Sequence, residues 1–544
     1  MEPARRLAFI NPATGQQFGE LSMSTEEEVR EAVADLRETS KVWGGMAVRE
    51  RVRILRQFQR VMIDSLDEIT EVINQDCGKS RQDALIEVFI TIDMLEQYCR
   101  SAEKWLRPRS VSSGLYIFKH CHVEYRPYGV VGVIAPWNYP FALSMPPALA
   151  ALLAGNTVIL KPSEVTSASG VMIEKLFQRV PELAPYVRVV HGDGVVGEAL
   201  VRAEPDYIFL TGSGPTGRKV MKAAADSLIP VACELGGKDA MIVLDDADLA
   251  AAAHWGAWGA YFNTGQTCMS VERVYVHEAV YDEFVRRAVE ETRALKMGFS
   301  RELESPYYLG PVTDPRQHKI IRRHLEDALE KGARLLTGGE VQDAYITPAV
   351  LVDVDHSMLL MREETFGPLM PVMKVKDEEE AIRLANDCAL GLGASVWSRD
   401  LQRAERVARR LEAGSVIVND TIAQFAVPML PFGGIKESGY GRVHGREGLM
   451  QFTRPFAYAV GSPPPEWDIA TQMRRLGKYR LGSALIHLLF GTTLNQRIEP
   501  VAGEVRRRVS PSDRKMLASS LGLLGVVGAA AGLAAVIWKG RPKK

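Results

Sequence analysis

Four short runs of apolar, mostly β-branched residues, each broken by a loop or motif rich in glycine or proline, restrict this chain more than any other feature. They are GVVGVI (129–134) before PWNYP, TVIL (157–160) before KPSE, YIFLT (207–211) before GSGPTG, and MIVL (241–244). A strand with one wet face alternates apolar and polar residues. An unbroken run suits a strand covered on both faces, as in a parallel sheet layered between helices. Helical patterns intervene: Ser24 and Glu27 have the spacing of a capping box, and Val29, Val33 and Leu36 then share one apolar face. This alternation predicts an α/β fold over residues 1 to about 460, with ligands gathered at loops that follow strands.

At 544 residues the chain exceeds a single core, so two or three domains are expected. Its 66 basic and 67 acidic side chains nearly cancel, which argues against nucleic acid as a bulk electrostatic partner. The six cysteines (Cys77, Cys99, Cys121, Cys233, Cys268, Cys388) include no CxxC pair. That spacing points away from a metal site or a disulfide framework and towards a reducing compartment. The opening MEPARRLAFINPATG lacks the apolar run of a signal peptide, so the catalytic part is expected in the cytoplasm.

The far end reads differently. Met516 to Trp538 is 23 residues without a charge, between Arg514-Lys515 and Lys539. As a helix rising about 1.5 Å per residue it reaches roughly 34 Å, against a hydrocarbon core of about 30 Å. Trp538 stands where an interfacial aromatic belongs. We expect a single C-terminal transmembrane helix at 516–538 with the lipid bilayer as partner; the competing reading is a buried core helix. Gly461-Ser462-Pro463-Pro464-Pro465 opens a stiff linker within 461–515. Residues 473–490, basic and then apolar, suit either the membrane surface or a docked helix.

Three sites carry chemistry. In Phe262-Asn263-Thr264-Gly265-Gln266-Thr267-Cys268 a glycine near the cysteine allows close backbone approach, and the Cys268 N–H can face an oxyanion. An arbitrary cysteine, however, is usually a small buried hydrophobe. Glu234 in ELGGK is either a solvated loop carboxylate or a base able to activate water. Asn138 in PWNYP either caps a turn or donates its amide to an oxyanion. GSGPTG (212–217) lies between a strand and a helix expected near Arg218, where free N–H groups favour a pyrophosphate.

PWNYP, ILKPSE, FLTGSGPTG, ELGGK, FNTGQTC, EETFGP and PFGGIKESGYGR occur in an order and spacing that resemble the aldehyde dehydrogenase superfamily over about residues 8–460. VNDTIAQFAVPMLPFGG (418–434) with Val443-His444-Gly445 is similar to the class 3 branch, which includes membrane-anchored fatty aldehyde dehydrogenases. The resemblance implies Cys268 as nucleophile, Asn138 with the Cys268 N–H as oxyanion hole, and Glu234 as general base. It implies a cofactor set of Trp137, Lys161, Ser163, Glu164, Gly212, Ser213, Gly217, Glu364 and Phe366. Lys161 and Glu164 hold the adenosine ribose in that set, Glu364 the nicotinamide ribose, and Phe366 packs near the nicotinamide. The Glu164 carboxylate favours NAD over NADP. Lys436 and its neighbouring glycines brace the loop without chemistry.

The implied plan is a Rossmann-like NAD-binding domain (1–107 and 129–236), an α/β catalytic domain (237–440) and a small β oligomerisation element (108–128 and 441–460) of a homodimer or homotetramer. The implied reaction oxidises an aldehyde to a carboxylic acid through a thioester on Cys268, with a long-chain or lipid-derived aldehyde as first expectation. A coenzyme A-acylating enzyme and a non-catalytic membrane scaffold on this fold remain as alternatives.

Overall fold

The computed structural model describes residues 5–114, 116, 118–461 and 479–508. The expected membrane span at 516–538 and most of the proline-rich linker lie outside these residues. Among the described residues no helix is long and apolar enough to cross a membrane.

Two parallel sheets carry the larger compact unit, which comprises residues 1–106 and 126–454. The first has six strands in the order Gly439–Tyr440, Val231–Glu234, Tyr207–Thr211, Val130–Ile134, Thr157–Lys161, Val187–Val189. All pair in parallel except Gly439–Tyr440, which runs antiparallel to Val231–Glu234. Chain order reverses at Val130–Ile134, which pairs on one side with the next strand, Thr157–Lys161, and on the other with Tyr207–Thr211. That is the switch point where doubly wound sheets open a crevice. Val130–Ile134 and Thr157–Lys161 are buried along their whole length, as their unbroken apolar runs require.

The second sheet has seven strands in the order Arg334–Thr337, Ala349–Val352, Leu369–Val375, Val271–His277, Asp239–Val243, Gly393–Trp397, Ser415–Val418. Only Arg334–Thr337 is antiparallel to its neighbour. Both sheets belong to this one compact unit.

The first helix, Glu26–Gly45, corrects the capping frame by one residue. Thr25 accepts from the Glu28 N–H at 3.2 Å and the Glu28 carboxylate takes the Thr25 N–H at 2.7 Å. Ser24 is engaged elsewhere: its N–H donates to the His191 carbonyl and its Oγ accepts from the His191 N–H. Val29, Val33 and Leu36 are buried on one face of this helix.

The second unit comprises residues 107–125 and the chain from 455 onward. In it Arg109–Val111 pairs antiparallel with His120–Pro127, which also neighbours Thr453–Val460. Helices Tyr479–Phe490 and Leu494–Arg508 pack on each other. Leu449 and Phe452 are buried in the larger unit, where the Asn156 amide donates to the Phe452 carbonyl at 2.9 Å.

Candidate active site

The turn Pro136–Pro140 leaves the C-terminal end of Val130–Ile134, at the switch point. A buried ion pair fixes it. Glu87 interrupts the apolar face of helix Arg81–Leu106, and its Oε1 pairs with Lys79 at 2.8 Å. Glu87 Oε2 accepts from the Phe141 and Ala142 N–H groups, both at 3.1 Å, while Lys79 donates to the Asn138 carbonyl at 2.7 Å. Burying two charges is costly unless their remaining hydrogen-bonding capacity is met, and here backbone groups of the turn meet it. Asn138 Nδ2 donates one hydrogen to the Gln266 carbonyl at 3.0 Å. Its second N–H remains available to an oxyanion beside the cysteine loop.

That loop bends through three successive left-handed residues, Asn263 (φ 52°), Thr264 (φ 59°) and Gly265 (φ 73°). A β-carbon on Gly265 would lie 2.3 Å from the Gly367 carbonyl oxygen, so only glycine fits between the FNTGQTC and EETFGP loops. Gln266 anchors the bend, accepting from Thr313 N–H at 2.8 Å and donating to the Asn263 carbonyl at 2.9 Å. Behind Cys268, a β-carbon on Gly237 would stand 2.1 Å from the Cys268 carbonyl oxygen. The second glycine of ELGGK is therefore what lets that motif rest on the cysteine.

Cys268 precedes the strand Val271–His277, and Glu234 ends the strand Val231–Glu234. The pocket thus joins the C-terminal edge of the first sheet to the N-terminal edge of the second. Cys268 and Glu234 line one narrow pocket, with Ala142, Leu143, Phe209, Leu235, Phe425 and Phe432 among its apolar walls. Glu234 is buried, and its Oε1 has no hydrogen-bond partner among the described residues. Burial pushes the Glu234 carboxyl well above its ordinary range, with Arg442 opposing, and burial likewise pushes the Cys268 thiol up.

The cofactor candidates spread along the same crevice. Trp137 meets Phe366 edge-to-face with ring centroids 5.5 Å apart. Phe366 has φ 52°, and the buried Glu272 carboxylate holds it there by accepting the Thr365 and Phe366 N–H groups, both at 2.8 Å. Lys238 of ELGGK is buried against Glu272. Glu364 is half-buried: it accepts the Gly237 N–H at 3.0 Å, and desolvation pushes its carboxyl up to about 8. Lys161 ends its strand and gives two hydrogens to the Pro162 and Gly192 carbonyls at 2.8 and 2.7 Å, with its ammonium 4.0 Å from Glu164 Oε2. Ser163 caps the turn that carries Glu164, accepting the Val165 N–H at 3.2 Å.

Two corrections follow. The helix after Tyr207–Thr211 starts at Gly214 rather than near Arg218, because Ser213 accepts the Thr216 N–H and Pro215 sits in the first turn. Gly212 and Ser213 therefore meet the helix end directly, and Gly217 packs on Leu235 inside its first turn. Nor does Glu164 stand alone: Arg316 lies 3.6 Å from its Oε1, which softens the charge argument against a 2′-phosphate. Lys436 donates to the Asn386 and Cys388 carbonyls at 2.9 and 3.0 Å, a bracing contact. Sequence reasoning missed Lys79, Glu87, Glu272 and Arg316. Glu87 alone left a signal, as a charge on an apolar helix face.

These residues suit a dinucleotide: a helix N-terminus beside the switch point for the pyrophosphate, Lys161 and Glu164 for a ribose, and the facing Trp137 and Phe366 rings for a flat base. Comparison with known proteins agrees. The aldehyde dehydrogenase family matches residues 1–456. The chain is 44% identical over 456 residues to a 4,4'-diapolycopene aldehyde oxidase from Methylomonas sp, covering 82% of this chain and 84% of that one. An NAD-dependent aldehyde dehydrogenase from Sinorhizobium meliloti superposes with a TM-score of 0.81 at 31% identity, covering 85% of this chain and 93% of that one. The NADP-dependent glyceraldehyde-3-phosphate dehydrogenase from Bacillus halodurans, solved with NADP, gives 0.80 at 33% identity, covering 84% and 96%. The chain belongs to the aldehyde dehydrogenase family and is an NAD(P)-dependent oxidoreductase acting on aldehydes.

Proposed function

We propose that Cys268, Asn138 and Glu234 oxidise a long-chain or otherwise extended apolar aldehyde to its carboxylic acid. The observation that carries this is the shared pocket of Cys268 and Glu234, whose remaining walls are almost all apolar. The Cys268 sulfur attacks the aldehyde carbon, forming a hemithioacetal. The free Asn138 N–H and the Cys268 N–H hold the oxyanion. NAD(P) supplies a hydride acceptor, bound by Lys161, Glu164, the Gly212–Gly217 turn and the Trp137–Phe366 pair. The acyl group left on sulfur is a thioester, and the Glu234 carboxylate takes a proton from the water that hydrolyses it.

The apolar reading of the substrate draws on a cluster around Cys268. Phe262, Met269, Ile422 and Phe432 are buried there, with Tyr139, Trp258 and Phe425 packed on them. The 44% identical relative, named for a diapolycopene aldehyde, lends it support. A chain-length series from acetaldehyde to hexadecanal, run with both NAD and NADP, tests it: kcat/KM should climb with chain length. A maximum on short polar aldehydes would refute the substrate class while leaving the chemistry intact. Cys268→Ala should form no NADH, and stimulation of the wild type by coenzyme A would argue against hydrolysis.

The membrane anchor at 516–538 and the homo-oligomer belong to the same proposal. A tethered active site meets lipid-derived aldehydes at high local concentration. Deleting residues 462–544 should release the protein from vesicles, with the catalytic part retained in the cytoplasm. The strand Arg109–Val111 is exposed along its length and offers a sheet edge for a second copy. Light scattering on the full chain reads the assembly.

A further inference from the structure

One buried group in the pocket is unused by this chemistry. His444 has no exposed surface, and neither of its ring nitrogens has a hydrogen-bond partner among the described residues. It lines the same pocket as Cys268 and Glu234. Thr211, Glu234, Cys268 and His444 are the only polar residues among those walls. The ring is held by packing alone, 4.7 Å from that of Phe425. Its backbone is strained as well: φ 63° and ψ 171° is a region that residues other than glycine rarely enter.

An imidazole kept dry with both nitrogens idle is expensive, and strain adds to the cost. Helix Gly445–Met450 does not require it, since His444 offers that helix only its carbonyl, to the Gly448 N–H at 2.8 Å. A small molecule able to bond both His444 and the idle Glu234 Oε1 satisfies both groups at once. In a pocket this apolar, a water with two polar partners fits that description.

We propose that His444 positions the hydrolytic water: its imidazole and the Glu234 carboxylate hold that water between them for attack on the Cys268 thioester. The inference rests on the thioester chemistry proposed above. In the step, the water oxygen bonds to the acyl carbon and one water proton passes to Glu234. The C–S bond breaks with its electron pair on sulfur, and the carboxylic acid leaves. Burial pushes the imidazole down to about 4, so near neutrality it is uncharged and presents one donor and one acceptor. It orients the water and does not take the proton.

The test separates acylation from deacylation in the full-length enzyme. His444→Phe and His444→Met remove the polar nitrogens, and His444→Gln keeps a hydrogen-bonding group. With decanal and NAD, the two apolar variants should keep a stoichiometric NADH burst but turn over about tenfold more slowly, the loss of one buried hydrogen bond. Intact-protein mass spectrometry of the quenched enzyme should show the acyl adduct accumulating on Cys268. kcat and KM should fall together with kcat/KM unchanged, and 4-nitrophenyl acetate should show the same burst followed by a slow phase. His444→Gln should recover part of the turnover. A burst with wild-type turnover, or slow turnover without the adduct, overturns the assignment. So does loss of the burst in both apolar variants, because a group needed only for hydrolysis leaves acylation intact. A burst that persists in Cys268→Ala would instead sink the nucleophile assignment itself, so the two failures are distinguishable.

Discussion

Replacing Gly237 by alanine adds one carbon at the contact that unites two motifs. That β-carbon would sit 2.1 Å from the Cys268 carbonyl oxygen, 2.9 Å from Asp239 Oδ1 and 3.1 Å from the Leu392 β-carbon. The backbone of Gly237 is not in the left-handed region, so alanine brings no torsional strain and the clash acts alone. An ordinary carbon–oxygen contact is about 3.4 Å, so the gap must open by roughly 1 Å. The first obstacle is backbone, which has no rotamer to escape into. The cysteine loop is clamped on its other side by the Gly265–Gly367 approach, and the Gly237 N–H is itself held by Glu364. The displacement therefore falls on Cys268 or on the strand Asp239–Val243. A shift of about 1 Å in a reacting group costs on the order of a hundredfold in rate. Overpacking of a buried site costs about 1–3 kcal/mol in stability. Steady-state kcat/KM at saturating NAD, with a thermal melt of the same preparation, reads both. Gly194→Ala is the control, since nothing lies within 4 Å of its added carbon. Gly237→Ala with kcat/KM within about twofold of wild type and an unchanged melt would refute this reasoning.

Glu87→Ala strands the Lys79 charge in the interior and releases the Phe141 and Ala142 N–H groups; a destabilisation of about 3–5 kcal/mol in urea is expected, with activity lost even where the protein stays folded. The pH profile follows from burial. The Cys268 thiol and the Glu234 carboxyl are both pushed up, and each acts in its deprotonated form, so turnover should rise as pH increases above neutrality. A flat profile on the alkaline side would mean that neither deprotonation limits the rate. Arg316→Ala removes the cation beside Glu164 and should raise the KM for NADP several-fold more than that for NAD, whereas Glu164→Gln should move the ratio the other way. Equal changes for both cofactors would place the 2′-position elsewhere.

Local patterns carried far in this chain because their causes are local. Short unbroken runs rich in β-branched residues suit strands sheathed on both faces, and Val130–Ile134, Thr157–Lys161 and Tyr207–Thr211 lie within a residue of where the runs stood. Glycine-bearing motifs marked the places where backbones approach closely, at Gly237 against Cys268 and Gly265 against Gly367. Cap positions were harder, since Ser24 and Thr25 both satisfy the local rule; His191, far along the chain, claims Ser24 and leaves Thr25 as the cap.

What periodicity and motif spacing determined here was therefore the α/β character and the identity of the loops that face the crevice. Tertiary structure decided which groups those loops confront. Glu87 and Glu272 hold the two site loops from inside, Arg316 stands beside Glu164, and His444 is sealed into the pocket with Glu234. A buried charge is costly unless backbone or side-chain groups complement it, as the Phe141, Ala142, Thr365 and Phe366 N–H groups do here. That complement comes from segments tens to hundreds of residues away, and only the packed chain brings them within a hydrogen bond's length.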